Sequence, residues 1–298
     1  MPDALPATLA PAPPAVRPIV RAKRSTWIMV VTGLAVLLVL AALLAPALAQ
    51  YDPNRQTLLA RLRPPVGFDR ADARYWLGTD QLGRDILSRC LFGLRLTLAL
   101  AVAGTAVGLV IGVTAGLVAG LAGGIVEALL MGLVDVKLSL PFTLVALLVI
   151  AIAGTGTGVL VCVLGVAYWA QFARLVRGQV LLLRALPYIE AARATGATGW
   201  RIAVRHLLPN LVGPVVVMAT LTVSNLILLE SSLSFIGIGV QPPTATLGSM
   251  VGQGRDYMAS APWVVAAPAV LIMLVSLVAM LLGDVVRDRV DPRLRLRR

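Results

Sequence analysis

The sequence predicts an all-α protein that crosses a membrane six times. Of its 298 residues, 58% are hydrophobic and only 13% are charged, and the mean hydropathy is +0.89. That composition is too apolar for a soluble domain of this length. The apolar residues also fall into runs long enough to span a bilayer as helices, with polar loops between them.

The net charge of +12 does not indicate nucleic-acid binding. Aromatic residues make up only 5% of the chain, and the arginines lie in loops that flank apolar runs. Basic residues in such loops set the orientation of a membrane protein. We therefore expect a lipid bilayer, and no nucleic acid, as a partner.

Residues 1 to 26 are predicted to be a disordered cytoplasmic tail, because they begin with a Pro- and Ala-rich stretch that cannot bury a core. The apolar run 27 to 49 is long enough to be the first transmembrane helix. A cleaved signal peptide is the alternative, since Ala47-Leu48-Ala49 resembles a cleavage site. The apolar run exceeds the ~7–15 residues of a signal peptide, so a retained helix is favoured.

Residues 50 to 93 are predicted to be an extracytoplasmic loop that ends in a charged stretch. This stretch is expected to form a short capped helix, with its apolar residues on the membrane surface and its arginines at lipid headgroups. The residues involved are Thr79 or Asp80 as the cap, Leu82, Ile86, Leu87, Arg84 and Arg89. Asp80 and Asp85 have no His or third carboxylate nearby to complete a metal site, so an ion pair with Arg84 is the preferred interpretation.

Residues 94 to 286 are predicted to form the core domain. Its first span, residues 94 to 120, carries a glycine at every fourth position. These glycines are Gly104, Gly108, Gly112, Gly116 and Gly120. Such a row follows one ridge of a helix and lets another helix approach closely, so we expect a helix–helix interface there.

The next span, residues 126 to 153, is longer than a membrane requires, and Pro141 is expected to kink it. Asp135 and Lys137 are placed near the inner face, where they pair or reach the interface. A proton relay that also includes Glu127 is the alternative. Residues 154 to 158 are Gly-rich but lack the Lys-Ser/Thr of a phosphate loop, so they predict a tight extracytoplasmic turn.

A span at residues 159 to 176 leads into a polar segment, residues 187 to 210. Pro187 and Glu190 suit the first turn of a short helix, Gly196 ends it, and Thr198 can cap a second short helix. The second helix is expected to end before Leu208-Pro209, because the residue ahead of a proline avoids helical geometry. The small side chains that keep the first helix flat belong to Ala191, Ala192 and Ala194.

The last two spans are predicted at residues 211 to 235 and 262 to 282, and residues 287 to 298 form a cytoplasmic tail. Glu230 is a candidate to line a translocation path. The alternative is a helix-end acid near the outer interface, bonded to Ser231 or Ser232. The intervening residues 233 to 263 mix apolar residues with Gly and Pro-Pro and cannot form one regular element.

Positive charge supports an orientation with both termini in the cytoplasm. The predicted cytoplasmic pieces hold sixteen Lys and Arg residues and the predicted outer loops hold eight. The positive-inside rule favours the richer side as cytoplasmic, although seven arginines in the large first outer loop weaken the bias.

The polar segment resembles the EAA loop of the permease subunits of ABC importers. The matching residues are Glu190, Ala191, Ala192, Gly196, Leu208 and Pro209. His206 stands where the general signature has Ile, and there the chain is similar to the peptide and nickel importers, which carry RH-x-LPN.

Three more motifs resemble the same family, so the likeness extends over residues 27 to 298. The stretch LGTD-xx-GRD-x-LSR precedes the second span and includes Gly78, Thr79, Asp80, Gly83, Arg84 and Asp85. LSF-x-G-x-G-x-QPP-T follows the fifth span, and LGD-xx-RD-x-x-DPR closes the chain. Tyr75-Trp76 departs from the family pattern.

The resemblance implies a permease with the type I ABC importer fold. It implies a second, homologous permease subunit, two ATP-binding subunits and an extracytoplasmic solute-binding protein as partners. The EAA loop would dock on an ATPase subunit, and ATP and Mg²⁺ would be held there; this chain has no Walker A motif and is expected to hold no cofactor. The substrate would be a dipeptide, an oligopeptide or nickel, with a lean towards peptides because few His, Cys or Met ligands lie on the predicted outer side.

Two other classes of function remain as alternatives. An ion-gradient-driven carrier or channel would use Glu127, Asp135, Lys137 and Glu230 as its ionisable path. A membrane enzyme is disfavoured, because no nucleophile–base pair or metal cluster is evident and His206 is the only histidine. Cys90 and Cys162 have no CxxC or CxxH partner and are interpreted as apolar fillers.

Overall fold

The structure is a computed structural model that describes residues 21–290, with side chains from Thr26 onward. Its described residues are mostly helical and contain no β-strand. Within residues 21–290 there are eleven α-helices: α1 (Arg21–Leu43), α2 (Ala45–Leu48), α3 (Ile86–Ala122), α4 (Gly124–Ser139), α5 (Phe142–Ala153), α6 (Thr157–Arg184), α7 (Pro187–Ala194), α8 (Gly199–Ile202), α9 (Leu208–Phe235), α10 (Leu247–Gly254) and α11 (Trp263–Val290).

Five of the described helical stretches are long and apolar enough to cross a membrane, and α4 with α5 makes a sixth if the pair counts as one span. The expectation of an all-α polytopic fold is therefore confirmed. The predicted tails lie largely outside the described residues, at 1–20 and 291–298. Where the two overlap the structure, the chain is already helical: α1 begins at Arg21 and α11 continues to Val290.

The bundle has two distinct ends. At one end, which we call the capped end, residues 49–85 and 236–262 fold over the helices and contact each other. At the opposite end, α7 and α8 connect α6 to α9. The glycine turn at Gly123, between α3 and α4, also lies at the opposite end.

The third predicted span is broken rather than kinked. α4 and α5 are bent by 94° relative to each other at Leu140-Pro141. Leu140 has extended geometry (φ −88°, ψ 135°), as expected for a residue ahead of proline. Pro141 then acts as the cap of a new helix instead of a residue inside an old one.

The predicted pairing of Asp135 with Lys137 is wrong. Asp135 Oδ1 accepts a 2.6 Å bond from Arg174 Nη2, and Glu127 Oε1 accepts a 2.7 Å bond from Arg177 Nε. Lys137 Nζ donates instead to the carbonyl oxygen of Ala167 on α6. Residues two apart on a helix do not face each other, which explains why α4 pairs with α6 and not with itself.

Two helices are longer than predicted. α3 begins at Ile86, because Asp85 caps it by accepting a 2.8 Å bond from Ser88 N. α6 continues past residue 176 to Arg184, because its arginines find partners on α3 and α4. In both cases polar residues that the sequence predicts to be loop belong to helices, and their side chains form hydrogen bonds or ion pairs with neighbouring elements.

The glycine row of α3 packs against α6. A Cβ at Gly104 would lie 2.7 Å from Leu164 Cβ, and one at Gly108 would lie 2.8 Å from the Gly165 carbonyl oxygen. A Cβ at Gly112 would overlap Phe172, and Gly116 and Gly120 are equally close to the α6 backbone or side chains. The two helices therefore approach to a distance that only glycine permits.

Gly112→Val is expected to destabilise the chain by about 1–3 kcal/mol or more, because the new side chain must push α3 away from α6. Gly178→Val on α6 is the matched control: it also adds a β-branched residue to a helix, but a Cβ there meets nothing within 4 Å. The free energy of unfolding of the purified chain, measured by SDS titration in mixed micelles, would test this. Equal loss in the two variants would contradict a tight interface.

Candidate functional site

The segment between α6 and α9 forms two short helices joined by a glycine turn. Pro187 begins α7 with Glu190 in its first turn, where a missing amide costs nothing and an acid suits the helix dipole. Gly196 has a φ of +83°, a conformation in which L side chains are strained. Thr198 then caps α8 by accepting a 3.3 Å bond from Arg201 N.

The second helix does not end before Leu208-Pro209. It continues through a π-helical turn, Ala203–Leu207, directly into α9, so Gly199–Phe235 is one stretch of 37 residues. Pro209 cannot donate to the carbonyl four residues earlier and its ring would clash there. The wider π turn just before it provides the space, which is why the proline does not end the helix.

The helix pair is anchored on one side and open on the other. Ile189, Ile202 and Leu207 are buried and pack with Val176 and Val180 of α6. The opposite surface is exposed and includes Glu190, Ala191, Arg193, Ala194 and Trp200, with Ala192 partly exposed. The Trp200 side chain is 77% exposed, which is unusual for a residue of this size.

Polar contacts stabilise the chain at both ends of this segment. Arg184, the last residue of α6, donates to the carbonyl oxygens of Gly120 and Leu121 at the end of α3, the latter at 3.2 Å. Near the start of α9, Asn210 Nδ2 donates a 2.6 Å bond to the His206 carbonyl oxygen. His206 itself is half-buried and its ring centroid lies 6.1 Å from that of Tyr188 on α7. The helix pair itself is fixed to the ends of α3, α6 and α9 by the buried apolar cluster that contains Ile189, Ile202 and Leu207.

At the capped end, the LGTD-xx-GRD stretch forms a compact, hydrogen-bonded loop. Thr79 Oγ1 donates to the Ala60 carbonyl oxygen and accepts a 2.9 Å bond from Arg63 N. Gly78 (φ +79°) and Gly83 (φ +70°) both have positive φ. A Cβ at either position would overlap backbone atoms of residues 57 to 65, so only glycine fits.

The prediction that Arg84 and Arg89 reach lipid headgroups is wrong. Their side chains are 5% and 2% exposed, and both lie beside Asp80, whose Oδ2 is 2.6 Å from Arg84 Nε and 3.5 Å from Arg89 Nε. The expected ion pair between Asp80 and Arg84 is present. Buried guanidinium groups need a carboxylate, and folding of the loop over α3 provides it.

The other acids of this loop have separate roles. Asp85 does not pair with Arg84: its carboxylate caps α3 and accepts a 2.6 Å bond from Ser88 Oγ, so the predicted cap at Thr79 or Asp80 is also wrong. Asp72 is paired with the exposed Arg74, whose hydrogen bonds lower the pKa of the Asp72 carboxyl to about 2. Among the residues that the structure describes, no group of three His, Cys, Asp or Glu side chains is placed to hold a metal ion.

Glu230 is fully buried between α3, α9 and the capped end. Its Oε1 accepts a 2.6 Å bond from Ser234 Oγ, and its Oε2 accepts a 3.3 Å bond from Thr97 Oγ1. The predicted partners Ser231 and Ser232 are wrong, because position i+4 lies on the same face of a helix and i+1 or i+2 does not. Thr97 Oγ1 also accepts a 3.3 Å bond from Leu247 N, the first residue of α10.

Sequence reasoning missed Thr97, and nothing in its local pattern distinguishes it from the other threonines of α3. Its role arises from a contact over 133 positions of the chain. The network joins three helices that are distant in sequence, so in this structure Glu230 faces its neighbours and not open space.

Glu230→Leu is expected to destabilise the chain by about 1–3 kcal/mol, because it leaves buried hydroxyl groups without a partner. Glu230→Gln keeps an oxygen acceptor of the same size and is expected to cost much less. Thermal unfolding of both purified variants in detergent would measure the difference. A Gln variant as unstable as the Leu variant would show that the charge, and not the hydrogen bonds, is what the site requires.

Comparisons with known proteins agree with one another. The model of the family described as "Binding-protein-dependent transport system inner membrane component" matches residues 108–296. The chain is 39% identical over 259 residues to the Di/tripeptide transport system permease protein DppC of Pseudomonas aeruginosa, covering 87% of this chain and 86% of that protein. It is also 39% identical over 269 residues to the Glutathione transport system permease protein GsiD of Pectobacterium atrosepticum, covering 90% and 88%.

A solved structure shares the fold. It is an inward-facing conformation of the MetNI methionine ABC transporter, and the alignment covers 67% of this chain and 94% of that one with a TM-score of 0.55 and 25% identity.

Proposed function

We propose that this chain, which belongs to the family of binding-protein-dependent transport system inner membrane components, is a permease subunit of an ATP-driven importer of peptides. The observation that carries the proposal is the exposed helix pair α7–α8. It presents a flat, alanine-lined surface to solvent, while its buried face is fixed to α3, α6 and α9. A surface of this kind suits docking of a separate protein whose movement must reach the membrane helices.

The proposed partner at this surface is an ATP-binding subunit. The contact is formed by Glu190, Ala191, Ala192 and Gly196. The residues that connect this surface to α9 are His206, Leu208 and Pro209. An ATPase can drive the permease between two states only if it binds those states differently. Because α8 is continuous with α9, a displacement of the helix pair necessarily moves a membrane-crossing helix. ATP and Mg²⁺ belong to the partner subunits, and this chain contributes no catalytic residue.

The capped end is proposed to face the extracytoplasmic side, with both termini in the cytoplasm. The basic residues of the α6–α9 connection support this orientation through the positive-inside rule. A solute-binding protein would then deliver substrate to the capped end. A second, homologous permease subunit would complete the path, and the exposed apolar faces of α4 and α5 are suited to contact it; Ile125, Leu129, Leu144 and Ile152 are all more than 60% exposed.

Peptides are the proposed substrates, since the similar proteins are named for di/tripeptide, glutathione and peptide transport. Nickel, the other substrate that the sequence leaves open, is not named for any of these three proteins. An ion-driven carrier is not supported either. Glu127 and Asp135 are each paired with an arginine and Glu230 is enclosed, so the acids expected to form an ion path are occupied by structural contacts.

Co-purification is the direct test. The chain would carry a C-terminal tag, be extracted gently from its native membrane and be analysed by mass spectrometry with its partners. A second permease, one or two Walker A ATPases and a solute-binding protein are expected. Recovery of the chain alone, with transport retained after reconstitution, would refute the proposal and favour a carrier driven by an ion gradient.

A further inference from the structure

Helix geometry places the cation Lys137 near the middle of the membrane. Its Nζ donates to the carbonyl oxygen of Ala167, ten residues from the start of α6 at Thr157 and therefore about 15 Å along the helix axis. Nearby, Gly165 packs against Gly108 of α3, which lies well inside that helix. The hydrocarbon core of a bilayer is about 30 Å thick, so this geometry places the ammonium group near its centre, deeper than the inner-face position expected from the sequence.

No carboxylate neutralises this charge within residues 26–290. The two acids of α4, Glu127 and Asp135, are each paired with an arginine of α6. Lys137 has one backbone acceptor and stands 5.7 Å from the centroid of the Phe142 ring. An ammonium group has three donors, so its capacity for an anionic partner is largely unused.

The surroundings of Lys137 cannot face lipid. The side chain is only half-buried by this chain, and the backbone beside it is interrupted at Leu140-Pro141, between two helices bent by 94°. An interrupted backbone at membrane depth is tolerated only where it is covered by protein or lines a water-filled cavity. An intramembrane cation is subject to the same restriction.

We propose that Lys137 lines the translocation path and binds the carboxylate group of a passing peptide. This inference rests on the proposed function. A peptide carries a carboxylate at its C-terminus, and a single cation at mid-depth gives that group a favourable position in a region that otherwise excludes charge. The bond to one backbone carbonyl fixes the side chain without neutralising it, so the charge remains available to substrate.

Uptake by the complete importer in proteoliposomes tests the charge. Lys137→Met is expected to lower uptake of a labelled peptide at least about tenfold, the loss typical of a charge-assisted hydrogen bond, while Lys137→Arg retains most of it. Ser139→Ala, at the same break, is the control and is expected to remain within about twofold of the parent protein. Uptake is measured at saturating binding protein, with ATP hydrolysis followed in parallel.

Chemical rescue separates charge from structure. Lys137→Cys is made with Cys162→Ala, because Cys162 is exposed whereas Cys90 is buried. Aminoethyl methanethiosulfonate restores a lysine-like ammonium group and is expected to restore uptake, and methyl methanethiosulfonate, which adds no charge, is not. Equal effects of the two reagents, no rescue by either, or full activity of Lys137→Met would each overturn the proposal.

The carboxylate is tested with one peptide in its free-acid and C-terminally amidated forms, each at a concentration that saturates the binding protein. Lys137→Met is expected to slow the free acid and to leave the amide nearly unchanged. An equal loss for both forms would overturn the assignment of the carboxylate. If the unaltered complex imports no peptide of any kind, the proposed function itself fails, which is distinct from failure at Lys137.

Discussion

Gly196→Pro is expected to abolish uptake while the chain remains in the membrane at its normal level. Proline requires a φ near −65°, whereas Gly196 has a φ of +83° and donates from its amide to the Arg193 carbonyl oxygen at 2.9 Å. The substitution costs about 3 kcal/mol or more, enough to reduce the population of the native helix pair roughly a hundredfold. The loss is confined to the surface proposed to contact the ATPase.

Gly196→Asn is the matched control for this experiment. Asparagine tolerates the left-handed conformation better than other residues with a side chain, and a Cβ at this position meets nothing within 4 Å. Peptide uptake and ATPase binding would be measured for both variants in proteoliposomes. Normal uptake by the Pro variant would refute the docking role of the segment, and equal loss in both would point to a requirement for glycine that has nothing to do with the turn.

Asp80→Asn is expected to be the most destabilising single substitution at the capped end. Asp80 accepts from the backbone amides of Leu82 and Arg84 at 2.8 and 3.0 Å and also neutralises two buried guanidinium groups. Removing one member of a buried ion pair costs about 3–5 kcal/mol, because the remaining charge is left uncompensated. Midpoints of SDS-induced unfolding would measure the effect.

Asp72→Asn provides the comparison for Asp80→Asn. It breaks the same type of acid–arginine pair in the same loop, with Arg74 Nη2 2.6 Å from Asp72 Oδ2, but here the arginine side chain is 71% exposed. Exposed pairs contribute little to stability. If the two variants unfold alike, the contacts around Asp80 do not stabilise the loop as its burial implies.

Local chemistry made much of this structure predictable. The membrane helices follow from the length of apolar runs, the turn at Gly196 and the cap at Thr198 follow from their residue types, and the glycine spacing in α3 identifies the face that meets α6. Each of these features depends on residues a few positions apart, and such relationships can be read from one sequence.

The errors arose where distant residues decide the outcome. Arg84 and Arg89 are buried and do not reach headgroups, because the loop folds back over α3, which the sequence alone does not show. Lys137 does not pair with Asp135, because the bend at Pro141 and the pairing of Asp135 with Arg174 depend on tertiary packing. The same local sequence around a proline is compatible with one kinked helix or with two separate helices, and the packing around the proline decides between them.

The uninterrupted stretch from Gly199 to Phe235 has a mechanical consequence. Its 37 residues form a rod about 55 Å long, with the surface proposed for the ATPase near one tip and Glu230 near the other. If such a rod tilts by about ten degrees around its midpoint, each tip is displaced by roughly 5 Å in opposite directions. Glu230 is bonded through Thr97 to the start of α10. A displacement of the helix at Trp200 would therefore also move the capped end, on the far side of the bundle.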